Sequence, residues 1–194
     1  MAINTAFVLA GVAAGGTSGA ELAWFAPTGA TGPTTATGAL DAAFLSAGLI
    51  SEDGVSRDIK EDSKDVRAYG LATPVRKIVT STDVTMKMTF LETNKVSAAV
   101  YNRLPVSGAG AITVSTGAFS TTEGTFRSQR YAMVIDAVDG TNRVRMYCSS
   151  VEVTDRDGLQ VKAGEAITYG VTLTAYPDTN GIAVTTFHVV TGLT

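Results

Sequence analysis

Hydrophobic and polar positions alternate with period two through much of the second half of the chain. Tyr131, Met133 and Ile135 alternate with Ala132, Val134 and Asp136, the spacing of a strand whose two faces differ. Asp139-Gly140 breaks the run and predicts a type I′ hairpin turn, in which both central residues need positive φ. The pattern resumes from Arg143 to Val153. Val144, Met146, Cys148 and Ser150 fall on one face there, and Arg143, Arg145 and Tyr147 on the other. Asp157-Gly158 predicts a second reversal. Ile167, Tyr169, Val171, Leu173 and Ala175 then mark a strand from Ile167 to Tyr176, stopped by Pro177, which cannot donate into a ladder.

The first half is more broken. A short strand is expected from Glu21 to Ala26, and a Gly/Pro/Thr loop over 27–38. Leu40, Ala43, Phe44 and Ala47 fall at helical spacing, so a helix capped by Thr37 is expected through Ala47, with Gly48 at its C-terminal end. Val84, Met86, Met88 and Phe90 make one face of a strand from Thr82 to Leu91, with Thr73–Thr80 expected to pair with it through Ser81. A helix capped by Thr93 should run to Arg103, its stripe being Val96, Ala99, Val100 and Leu104. Ala111–Val114 and Ile182–Val190 read as further short strands. The fold class that follows is mainly β: a β-sandwich or partly closed barrel with one flanking α-helix, since a lone helix must lie against a sheet.

Residues 51–70 follow neither period. Eight charges stand between Arg57 and Arg67. At period two neither face is apolar, and at helical period only Val55, Ile59 and Val66 align. In a free subunit this predicts a solvated loop or a protruding hairpin. It also marks a mixed-sign segment suited to self-association, because a second copy can present the opposite charge where it is needed. The contact candidates are Glu52, Asp53, Arg57, Asp58, Lys60, Glu61, Asp62, Lys64, Asp65 and Arg67.

The 194 residues suit a single β-rich domain over 21–194, carrying the charged loop at 51–70 and preceded by an N-terminal arm over 1–20. The apolar run Ala6–Ala14 has no basic residue before it, since the first is Arg57. It therefore reads as a flexible or partner-docking arm, with a cleaved signal peptide as the alternative, and it is too short to span a bilayer. A net charge of −3 argues against a nonspecific nucleic-acid binder. The single cysteine, Cys148, excludes an intrachain disulfide and reads as a buried thiol.

Catalytic patterns are missing. His188 is the one histidine. There is no G-x-S-x-G elbow, no phosphate-binding loop and no complete dinucleotide fingerprint. Asp155-Arg156-Asp157-Gly158 lacks the later ligands of a calcium loop. No cofactor, metal or catalytic residue is expected. One enzymatic alternative is a β-rich hydrolase using Asp136 and Glu152 as paired acids. A secreted β-sandwich binding module or adhesin is the non-enzymatic alternative.

The ordered set LAWFAPTG (22–29), GLISEDGV (48–55), IDAVDG (135–140), VEVTDRDG (151–158) and YGVTLTAYPD (169–178) resembles the major tail proteins of siphoviruses that infect actinobacteria. The resemblance implies a structural tail-tube subunit and rings of six copies. In these, strands of neighbours join into a continuous barrel, and the rings stack into a conduit for DNA ejection. It implies tail terminator, tape measure and distal tail proteins as partners, a place in the virion tail after assembly in the host cytoplasm, and no membrane. It also implies a lumen that is acidic or neutral, with Asp83, Asp136 and Glu152 as lining candidates.

Overall fold

The structure, a computed structural model, describes residues 12–13, 21–124 and 127–192. The expected N-terminal arm over 1–20 lies outside them except for the backbone at Val12–Ala13. The strands are β1 (Val12–Ala13), β2 (Ala23–Pro27), β3 (Leu45–Ser46), β4 (Ile50–Val66), β5 (Arg76–Phe90), β6 (Arg130–Asp139), β7 (Asn142–Arg156), β8 (Tyr169–Ala175) and β9 (Thr185–Val189). Among the described residues one helix, α1 (Lys95–Tyr101), falls between β5 and β6.

All nine strands belong to one antiparallel sheet in the order β3-β2-β6-β7-β8-β5-β4, with β1 beside β6 and β9 beside β7. The path is open, with β3 at one end and β4 at the other. It is nonetheless strongly curled. Phe25 on β2 and Phe90 on β5 are four strand steps apart, about 19 Å in a flat sheet. Their rings meet edge to face at 6.1 Å. The sheet therefore wraps around its main core as a partly closed barrel, in agreement with the expected class.

Inside the curl lie Phe25, Met86, Met88, Phe90, Tyr131, Met133, Ile135, Val151, Val153, Val171 and Leu173, with Val96, Ala99 and Val100 of α1, and Leu104 just after it, packed against them. Asn94, one residue beyond the expected Thr93, caps the helix. Its Oδ1 accepts from the amides of Val96 and Ser97, while Ser97 Oγ accepts from the Asn94 amide. The Tyr131 hydroxyl donates to Leu104 O at 2.9 Å and fixes the far end. Cys148 is buried among these groups, and burial pushes its thiol up to about 12, partly opposed by Arg57.

β2 and β6 are buried on both faces. Trp24, Ala26, Ala132 and Val134 point away from the main core and are covered by Phe44, Leu40 and Ala43. Those three apolar positions are the ones that suggested a helix, but the backbone is not helical. Asp41 Oδ1 accepts from the Ala43 amide and Asp41 O from the Phe44 amide, closing a turn that competes with a helical ladder. Leu45–Ser46 then joins β2 as a strand.

Five other expectations change. Thr73–Thr80 and Thr82–Leu91 are not partners: Arg76–Phe90 is one continuous strand, paired with β4 on one side and β8 on the other. The Asp139-Gly140 hairpin exists, but its two loop residues are Gly140 and Thr141, and of these only Gly140 has positive φ, the pattern of a II′ turn. Asp157-Gly158 opens a twelve-residue connection, 157–168, rather than a tight turn. Ala111–Val114 is not a strand; only a Ser115–Ala118 bridge forms nearby. In β7 a bulge opposite Tyr131–Met133 resets the alternation after Cys148. Val151 and Val153 therefore return to the core face, which strict period two had assigned through Ser150.

Candidate assembly surfaces

The charged stretch is not a loop but the first strand of a protruding hairpin, the second of the two expected forms. Ile50–Val66 pairs with β5 almost end to end, from Ile50 opposite Phe90 to Val66 opposite Arg76. Its lack of an apolar face did not prevent strand formation, because the ladder needs only backbone donors and acceptors. Beyond Ile59, which sits opposite Val84, the hairpin leaves the core. Every residue of 60–66 except half-buried Asp65 is exposed, as are all of 76–83. The projecting part extends about 20–25 Å at 3.3 Å per residue.

Register places the predicted contact residues on both faces. Arg57 lies opposite Met86 on the core side, and its Nη1 reaches Thr186 Oγ1 at 3.5 Å. Lys60 stands opposite Asp83, and Asp62 opposite Ser81, whose Oγ donates to Asp62 Oδ2 at 3.2 Å. Asp65 pairs with Arg67 at 3.5 Å and with Lys77 at 4.0 Å. Glu52 and Asp53 are exposed within the irregularity between Ile50 and Val55. Asp58, Glu61 and Lys64 are exposed along the strand. The ten are thus gathered on one hairpin arm but spread along its length. Such exposed pairs are worth little in the free subunit, at a median of about 0–1 kcal/mol.

Sequence reasoning missed the other arm and the tip. Tyr69 is fully exposed, and Leu71, Val75, Ile78 and Val79 are also exposed. The signal was present in the chain: apolar residues flanking Gly70 and Pro74 between two charged runs are an unusual composition for a solvated turn.

The three lining candidates share the sheet face that points away from the main core, but their surroundings differ. Asp83 is exposed on the projecting part of β5. Glu152 is half-buried, accepting from Ser128 Oγ at 2.8 Å and lying 3.7 Å from Arg130 Nε. Asp136 is 1% exposed and is not available to line a surface. Arg143 holds both its oxygens, at 2.7 and 2.6 Å. Arg145, 2% exposed, donates to Asp136 Oδ2 from Nε and Nη2, and from Nη1 to Thr35 O and Gly38 O. This bidentate cluster ties the 35–38 segment onto the sheet, and the Asp136 hydrogen bond holds the Arg143 guanidinium above its ordinary pKa. The same geometry removes the paired-acid reading. Asp136 sits opposite Arg145 and Glu152 opposite Arg130. That separates the two acids by roughly 20 Å along β7, against about 5–9.5 Å for glycosidase pairs.

Around Glu152 the outward face of β7, β8 and β5 is rich in threonine: Thr154, Thr172, Thr174, Thr85 and Thr89. Thr154 and Thr174 hydroxyls lie 3.1 Å apart. Among the described residues no group of His, Cys, Asp or Glu is placed to hold a metal, and no helix is long and apolar enough to cross a membrane.

A curled, open antiparallel sheet with a projecting charged hairpin, whose long edge strand has no ladder partner among the described residues, defines a class of β-rich structural subunit. The particular family follows from comparison: a family model described as phage tail tube protein matches residues 2–188, and the chain belongs to that family. It is a structural component of the virion tail tube. No curated protein matches the chain.

Proposed function

We propose that this chain is the major tail protein of a siphovirus infecting actinobacteria, assembling into hexameric rings that stack into the conduit for DNA ejection. The observation that carries this reading is β4. Among the described residues it ends the sheet order, so the outer edge of a 17-residue strand has no ladder partner within the subunit. Unpaired edges of that length pair with other chains unless protected, and in a ring each edge would meet a neighbour. The contacts are then heterologous and close by rotation within a ring, while repeating from ring to ring.

In this arrangement the threonine-rich outward face lines the lumen, with Asp83 and Glu152 contributing acidic groups among balancing cations. A weakly charged hydroxyl surface gives the DNA backbone no array of cations to bind. The tail terminator, tape measure and distal tail proteins meet the ends or interior of the tube, and assembly takes place in the host cytoplasm. The test is electron microscopy of the purified protein at high concentration. Hollow tubes with six-fold rings are expected. A persistent monomer that instead binds glycans would favour the adhesin alternative.

A further inference from the structure

The charges of the β4–β5 hairpin are sorted along its length. The distal part, residues 64–77, carries Lys64, Arg67, Arg76 and Lys77 against Asp65 alone, a net +3. The proximal parts, 50–63 and 78–90, carry Glu52, Asp53, Asp58, Glu61, Asp62 and Asp83 against Arg57, Lys60 and Lys87, a net −3. The basic tip also presents Tyr69, Leu71 and Val75 to solvent. Exposed Tyr and Arg are residue types that anchor protein interfaces.

A matching surface exists at the hairpin's other end. A recess of about 300 Å³ beside the base of β4 is lined by Glu21, Leu45, Ser46, Glu92, Lys95 and Val96. Leu49 and Leu91, the chain neighbours of its Gly48 and Glu92, are exposed, and Glu52 and Asp53 follow at the start of β4 where the register is irregular. Its lining sets Leu45 and Val96 beside two carboxylates, Glu21 and Glu92, and one lysine, Lys95. The recess is also rigidly built. Gly48 has φ +78 and lets Glu92 approach so closely that a Cβ there would collide with the carboxylate, which accepts from the Leu49 amide.

We propose that the basic, apolar tip around Tyr69 seats in the acidic recess at the hairpin base of another copy, in the adjacent ring. The tip cannot fill its own recess, because sixteen residues of extended strand hold the two about 50 Å apart. Charge and apolarity match in opposite senses at the two ends of one element, so each copy offers one plug and one socket. That is the head-to-tail pattern of an open-ended polymer. The inference rests on the tube-subunit reading and adds to it the residues that join successive rings.

The experiment is a charge exchange in the full chain. The tip variant is Arg67→Glu with Arg76→Glu; the recess variant is Glu21→Lys with Glu52→Lys. Circular dichroism checks that each folds, and pelleting with electron microscopy reads polymer yield. Each variant alone is expected to lose at least tenfold in polymer. An equimolar mixture is expected to recover to within about twofold of wild type, because reversed tips fit reversed recesses and native tips fit native ones. Raising salt should depress the wild-type yield, since the pairs are screened. Wild-type tubes together with variants that polymerise normally, or a mixture that does not recover, overturn the plug-and-recess contact alone. Wild-type protein that never forms tubes overturns the tube reading and the contact with it.

Discussion

Within the single strand β5, residues 84–90 and residues 76–83 lie in different surroundings. Val84, Met86, Met88 and Phe90 are buried in the main core, and Lys87 between them is exposed. Arg76–Asp83 is exposed on both faces, although its backbone continues the same ladder with β4. The inner half is held by β8 as well as β4, whereas among the described residues the outer half has only β4. The backbone ladder makes a strand in both halves, and apolar burial stabilises only one of them. Ordering costs about 1–2 kcal/mol per residue, and an isolated two-stranded hairpin is marginal in water. The outer half therefore has most to gain from a second copy.

The comparison is broken most severely in the inner half. Met88→Asp is expected to abolish folding, since it forfeits about 1.5–3 kcal/mol of apolar burial and leaves a charge without a partner in the core. Expression and circular dichroism report it, and a folded Met88→Asp protein would show the inner face to be wrongly placed. Next comes the second buried region of the sheet. Asp136→Ala should cost about 3–5 kcal/mol in denaturant unfolding, because it strands Arg145 without its carboxylate. A loss below about 1 kcal/mol would mean that the cluster is solvated. Asn94→Ala, which removes the helix cap, should cost about 1 kcal/mol. Lys87→Ala, on the exposed side of the inner half, should stay within about 0.5 kcal/mol.

Cys148 gives a chemical check on the same contrast. With its thiol pushed up to about 12 by burial, it should resist alkylation at pH 8 in the native protein and react on unfolding. A folded-state pKa raised above the unfolded value also means stability that is complete below about pH 9 and declines as pH rises toward 12. Native-state labelling at the unfolded rate would place Cys148 outside the core.

Legibility followed burial. The inward residues of β5, β6 and β8 and the stripe of α1 were readable because one face is packed and the other is not. Reading failed where another force fixed the backbone. Leu40, Ala43 and Phe44 were rightly apolar, but the Asp41 turn, not helical spacing, presents them to Trp24 and Val134. The bulge in β7 shifted the face of Val151, which no alternation rule anticipates. At the candidate surfaces the charged residues of 51–67 were legible as a loop or a protruding hairpin, but not as which of the two, because a ladder leaves no side-chain period when neither face is buried. Asp136 looked like an exposed strand acid because Arg143 and Arg145 are its neighbours only across the hairpin.

The central claim is that the projecting half of the hairpin gains its order from another copy. Hydrogen exchange on the amides of 60–66 and 76–83, measured in monomer and in polymer alongside those of 84–90, tests it most directly. Fast exchange of the projecting amides is expected in the monomer and strong protection in the polymer, with 84–90 protected in both. Equal protection of the projecting amides in the two states would contradict it.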